Sequence, residues 1–171
     1  MYQAYKYRIY PTQAQQESLA KAFGCCRWFW NYSLNLCQET YKATGKGLLR
    51  KDIQGLLPKL KKEFEWLGTD VYSQCLQVVA LNLTTAYKNF FDKRAKYPNF
   101  KSKHHRQSIS YPQNVKFEGD NIVLPKLGKI NCVRHRDFQG TVKTVTISLN
   151  PDGKYYASVL VDDGKEVVTQ S

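Results

Sequence analysis

Few residues in this 171-residue chain are of types that do chemistry unaided, and their spacing argues against most of it. His104 and His105 stand together, and Cys132 with His135 makes one Cys-x-x-His pair. One such pair is half a zinc site, and no second pair follows at the usual spacing. Cys25 and Cys26 would project about 100° apart on a helix, which suits a core better than a shared ion. The carboxylates Asp152, Asp162 and Asp163 fall in turns or near the chain end, without the scattered acidic set of a metal-dependent nuclease. No phosphate-cradling glycine loop and no nucleophile elbow occurs. The expectation is therefore no catalytic residue, no metal and no cofactor.

What remains is binding chemistry, and it is concentrated. Residues 97 to 113 read YPNFKSKHHRQSISYPQ. They combine cations for phosphates, rings that can stack on bases, and amides and hydroxyls that can read edges. His104 and His105 suit hydrogen-bonding groups on a phosphate-facing loop, and an exposed pair without a role fits equally. Residues 88 to 106 hold Lys88, Lys93, Arg94, Lys96, Lys101, Lys103 and Arg106 against the single acid Asp92, half of the formal net charge of +12. With 26 basic and 14 acidic residues, the chain favours polyanionic partners and salt-sensitive binding.

The elements that must position these residues follow from periodicity. YQAYKYRIYP alternates, Tyr5, Tyr7 and Ile9 on one side and Lys6 and Arg8 on the other, which predicts a half-buried strand over 2 to 10. Thr12 and Gln15 have capping-box spacing and open a helix. Its apolar positions Leu19, Phe23, Cys26, Trp30, Leu34, Cys37 and Tyr41 recur every three or four residues up to TGKG at 44 to 47. Gly24 marks a kink or a close helix crossing. Ile53, Leu56, Leu57, Leu60 and Phe64 form a shorter helical stretch that Pro58 should bend or divide. Thr69 or Asp70 is expected to cap a further helix with the stripe Leu76, Val79, Leu83, Ala86 and Phe90, ending near Arg94.

Beyond residue 107 the period changes to two. VKFEGDNIVLP reads as a strand, turn and strand, and KTVTISLNPDGKYYASVLV as a hairpin across NPDG. Val145, Ile147 and Leu149 alternate with polar neighbours, as do Tyr156, Ser158 and Leu160. An antiparallel sheet or small barrel that recruits the opening strand, with helices inserted, is the economical α+β arrangement. The longest apolar region is broken by Arg27 and Asn31 and falls short of the roughly 18 residues of a spanning helix. Five cysteines without framework spacing, and no apolar leader, predict a reduced, cytoplasmic protein.

The segments YKYRIYPTQAQQ, FGCCRWFWNYSLN, YKATGKGL, LNLTTAYKNFFDKRAKYPNFKSK, QSISYPQ, LPKLGKI and VKTVTISLNPDGKYYASVLV run in one order over almost the whole chain. In that order they resemble the N-terminal part of the TnpB (OrfB) proteins of bacterial insertion sequences, relatives of the type V CRISPR effector nucleases. The resemblance implies a wedge β-barrel from residues 1–11 and 107–165 and a helical recognition domain over 12–96, whose first helical region is described as the helix-turn-helix of a transposase. It further implies a basic hinge at 97–106 and a tail at 166–171.

The partners it implies are a structured guide RNA from the transposon end and a short duplex DNA motif beside the target. By the same resemblance Ser73, Gln74 and Gln77 match a groove-reading helix start, and Arg50 lies in a loop near the same duplex. Gln107, Ser108 and Tyr111 match wedge residues at the motif duplex. Lys101, Lys103 and Arg106 match backbone contacts, and Lys96 belongs to the same basic run. The family's RuvC-like nuclease opens on a GIDLG-like strand, whereas this chain reads VDDGKEVVTQS after its last hairpin. The implied function is nucleic-acid binding without cutting. The alternatives are half of a split nuclease that works with a separately encoded RuvC-like half, and a plain DNA-binding transposase remnant.

Overall fold

A computed structural model describes residues 1–134 and 137–165, so His135 of the Cys132 pair and the tail at 166–171 lie outside the described residues. The chain divides into two compact units, one of Met1–Leu19 with the described residues from Arg106 onward, the other of Ala20–His105.

In the first unit the alternating opening segment is β1 (Tyr2–Tyr10), with Tyr7 and Ile9 buried. The later strands are β2 (Gln107–Tyr111), β3 (Lys116–Glu118), β4 (Asn121–Leu124), β5 (Gly128–Val133), β6 (Thr141–Leu149) and β7 (Tyr155–Asp162). They make one curled antiparallel sheet in the order β2-β6-β7-β1-β5-β4-β3, so the protein is α+β and β1 sits at its centre. The registers Tyr7↔Ala157 and Ile9↔Cys132 bring β1 against β7 and β5, and the hairpin aligns Val145 with Val159 and Ile147 with Ala157. These side chains, with Ile109, Ile122, Leu124 and Ile130, are buried and form the core of the concave side. On β7 the inward residues are Ala157, Val159 and Val161, so the Tyr156, Ser158 and Leu160 alternation marks the opposite face. A one-residue change of phase turns every side chain over.

At the end of β7 two carboxylates meet the chain's own amino terminus. The Met1 ammonium lies 3.3 Å from Asp162 Oδ1 and 3.4 Å from Asp163 Oδ1, and it also donates to the Lys165 carbonyl. Both carboxyls are held below their ordinary pKa, Asp162 first by the Gly164 N–H and Asp163 first by the Lys165 N–H, with the terminal ammonium adding to both. A lowered folded-state pKa stabilises above the unfolded value, and that stabilisation is lost as pH falls through the folded value. Acetylating the amino terminus should therefore move both titrations upward, which carboxyl NMR during acidification would read directly.

The turn into α1 (Gln13–Thr44) is a complete capping box. The Thr12 N–H donates to Gln15 Oε1 at 2.9 Å, and the Gln15 N–H donates to Thr12 Oγ1 at 3.2 Å. Replacing Thr12 with alanine should cost about 1 kcal/mol in denaturant unfolding, as the loss of a cap does. The helix then runs unbroken through Gly24, where an added Cβ would meet only the Arg27 guanidinium at 3.7 Å, so the glycine marks no close crossing.

In the second unit Leu34, Cys37 and the other apolar positions of α1 up to that point are buried, whereas Tyr41 is 55% exposed. The following stretch divides into α2 (Arg50–Gln54), α3 (Leu57–Glu63) and α4 (Glu65–Thr69). Pro58 falls in the first turn of α3, where its missing N–H costs nothing. Neither Thr69 nor Asp70 caps the next helix. Asp70 closes α4 by donating its N–H to the Trp66 carbonyl, and α5 (Ser73–Phe91) starts from Tyr72 in extended conformation without a side-chain cap. Cys75, Leu76, Ala80 and Leu83 bury its inner face, and it ends at Asp92, followed by Lys93 at a left-handed φ of 61°.

All five cysteines are free and buried. Burial raises the thiol pKa at Cys26 and Cys37, to about 12 at Cys75, and to about 11 at Cys132. Among the described residues no group of three or more His, Cys, Asp or Glu side chains could hold a metal, and no helix is long and apolar enough to cross a membrane.

Candidate nucleic-acid interface

Cross-strand neighbours share a face, and the outer face of the sheet can be read from its registers. Ser108 pairs with Ser148, Ser148 with Tyr156, and Tyr156 with Arg8, which makes one row across four strands. The next row runs Ser110, Thr146, Ser158 and Lys6, and Ser110 Oγ lies 2.9 Å from Thr146 Oγ1. The Lys6 ammonium stands 4.4 Å from the centroid of the Tyr156 ring, and the Arg8 guanidinium 4.9 Å from that of Tyr10. Arg8 Nε and Ser148 Oγ are buried without a hydrogen-bond partner among the described residues. This face joins cations, rings and hydroxyls, the set that phosphates and bases require.

The residues singled out from the sequence divide between the two units. Arg106 and Ser108 are exposed at the start of β2, Gln107 is half-buried, and Tyr111 is buried at 1% exposure. Ser108 is thus the residue of that strand carried into the outer row. Lys6, Arg8, Tyr10 and Tyr156 were not among the expected binding residues. The alternation of Lys6 and Arg8 against Tyr5, Tyr7 and Ile9 was the signal that could have found them.

In the helical unit Ser73, Gln74 and Gln77 are half-buried on the first turns of α5. Ser73 Oγ accepts from the Lys61 ammonium at 3.3 Å, which places a cation at the helix start. With no side-chain cap, that start leaves backbone N–H groups free to meet an anion. Arg50 is exposed at the first position of α2, which packs on α5. Lys96 and Lys103 are exposed beyond the end of α5.

Lys101 has a second role. Its N–H donates to Asn31 Oδ1 at 2.8 Å, and its carbonyl accepts from Asn31 Nδ2 at 3.0 Å. Trp30 Nε1 donates to the Asn99 carbonyl at 2.9 Å, and the Lys101 ammonium rests 4.0 Å from the centroid of the Trp30 ring. Lys101 is exposed as a residue, yet partial desolvation of its ammonium lowers the pKa, and the Cys26 thiol opposes that shift. The segment after α5 is therefore clamped onto α1. Exposed His104 donates its N–H to Ser102 Oγ within the same segment.

Residues 1–46 match the helix-turn-helix domain of OrfB-type proteins. Within them the fold supplies β1 and the unbroken α1, and the next helix starts at Arg50. InsQ of Escherichia coli (strain K12), described as a candidate RNA-guided DNA endonuclease, is 37% identical over 161 residues, which are 92% of this chain and 40% of InsQ. A candidate RNA-guided DNA endonuclease of Streptomyces pristinaespiralis is 32% identical over 94% of this chain and 41% of its own length. The virulence protein VsdF of Salmonella dublin is 36% identical over 61% of this chain and 96% of its own. The chain thus spans about two fifths of the length of the two endonuclease-like relatives.

Proposed function

The chain belongs to the OrfB/TnpB family of transposase-associated insertion-sequence proteins, and from that premise we propose that it binds a transposon-end guide RNA and a short duplex DNA motif. The observation that carries this reading is the outer face of the sheet, where Lys6 and Arg8 stand against the Tyr156 and Tyr10 rings in rows that continue to Ser108 and Ser110. Residues 1–11 and 107–165 serve as the RNA-holding wedge, with Arg106, Gln107, Ser108 and Tyr111 at or beneath its surface. The helices of 12–96 approach the duplex through Arg50, Ser73, Gln74 and Gln77. Lys96, Lys101 and Lys103 contact backbone phosphates, Lys101 from its clamped position. The net charge of +12 supports a polyanionic partner in the bacterial cytosol.

A second reading takes the chain as one half of a nuclease that works with a separately encoded RuvC-like half. One experiment addresses both. The chain is purified at modest salt from cells carrying the parent element, and bound nucleic acid is treated with RNase or DNase. RNase-sensitive material mapping to the transposon end supports the guide-RNA reading, and material sensitive only to DNase overturns it. DNA cleavage on adding a RuvC-like half would move the assignment to the split nuclease.

A further inference from the structure

Within the helical unit a pocket of about 190 Å³ opens where the C-terminal turns of α1 and α5 come together. Its walls include Tyr41, Tyr87, Phe90, Phe91 and Tyr97. Tyr97 stands edge-on to Tyr87 and Phe90 at centroid separations of 5.5 and 5.1 Å, and Tyr87 stacks on Phe91 at 6.3 Å. Phe91 is 63% exposed and Tyr97 37%, so two rings stand open at the mouth.

The polar groups inside are few and paired. The Tyr87 and Tyr97 hydroxyls lie 2.8 Å apart, and the Cys37 thiol lines the same pocket. A hydroxyl pair of this kind can exchange its mutual bond for one to a flat heteroaromatic edge. Exposed Lys42, Lys46, Lys88, Lys93, Arg94 and Lys96 lie within a few residues of the lining positions along the chain, against the acids Glu39 and Asp92, and supply a cationic rim. An apolar peptide would have no use for that cationic rim, whereas a nucleotide strand requires both its parts.

We propose that this pocket takes one unstacked base of a single-stranded RNA segment, with Phe91 and Tyr97 as the stacking walls and the rim lysines on the flanking phosphates. The proposal rests on the nucleic-acid reading above and adds a base-binding site to it. Of its ring residues only Tyr97 lies in the 97 to 113 stretch whose rings the sequence offered for stacking.

The test uses the whole chain with poly(A) RNA, poly(dA) DNA as the comparison, and ultraviolet cross-linking read by mass spectrometry. Expected are RNA adducts on Tyr41, Phe91 or Tyr97. Phe91→Ala and Tyr97→Ala should each weaken poly(A) binding by roughly ten- to a hundredfold, the range set by loss of one base–aromatic stack. Because Phe91 is mostly exposed, its variant keeps the fold if Tyr97→Ala does not. Wild-type affinity for poly(A) in Phe91→Ala overturns the proposal, whereas a parallel loss on poly(dA) is expected, because a stacked base and its phosphates are common to both strands. Adducts that join these rings to another polypeptide would give the pocket to a protein partner and overturn it too. If transposon-end RNA still co-purifies in those cases, the wider nucleic-acid reading stands and only the base pocket falls.

Discussion

Replacing Trp30 with alanine is expected to destabilise the helical unit by about 3–5 kcal/mol, the usual cost of removing a large buried ring. Trp30 is 7% exposed, and it anchors the end of the basic segment from two sides, through the Asn99 carbonyl and beneath the Lys101 ammonium. Trp30→Phe keeps a ring for packing and removes the N–H donor, so it should cost much less, about 1 kcal/mol for the hydrogen bond plus some packing. Urea unfolding of the two variants separates packing from hydrogen bonding. Asn31→Ala, which breaks both bonds to the Lys101 backbone, should release the segment while leaving the core intact, and increased proteolysis near Lys101 and Lys103 would report it. Equal stability of wild type and Trp30→Ala would mean that the clamp has no energetic weight.

The second large effect concerns binding. Lys6→Gln combined with Arg8→Gln should lower RNA affinity about tenfold or more at moderate salt, and should flatten log K against log salt by about 1 for each charge removed. Lys6 and Arg8 lie on the outer rows of the sheet beside Tyr156 and Tyr10, where they can neutralise phosphates without supporting the core formed by Tyr7 and Ile9. A change in affinity without a change in slope would show that these side chains act through shape. No change in either would remove the sheet face from the interface. Thermal unfolding of each single variant checks that the sheet persists.

Much of the fold was legible because its signals are local. The Thr12–Gln15 box and the breaker at 44 to 47 bound α1 closely, and the NPDG turn placed the β6–β7 hairpin. Where reading failed, the deciding contact was remote in sequence. Asp70 has the chemistry of a cap, yet it closes α4, its carboxylate accepts from the Thr69 hydroxyl, and α5 starts two residues further on at Tyr72. The face of β7 depends on its pairing with β1, which lies about one hundred and fifty residues away, and alternation alone gives two phases of equal merit. For the interface, the density of charge at 88 to 106 drew attention to the basic segment. The outer row of Arg8, Tyr156, Ser148 and Ser108 is assembled only when four strands align, so no single segment displays it.

The five buried cysteines also make the protein its own reporter of opening. Cys25, Cys26, Cys37 and Cys75 belong to the helical unit and Cys132 to the sheet, so the two units carry different numbers of thiols. Burial shields all five, and the raised pKa of Cys26, Cys37, Cys75 and Cys132 keeps their thiolate scarce in the native state, so an alkylating pulse should label them only when their surroundings open. The mass of each labelled molecule then identifies which unit opened: one adduct for the sheet, four for the helices and five for global unfolding. That count requires no substitution, and the same pulse given with RNA present would measure which unit the ligand holds closed.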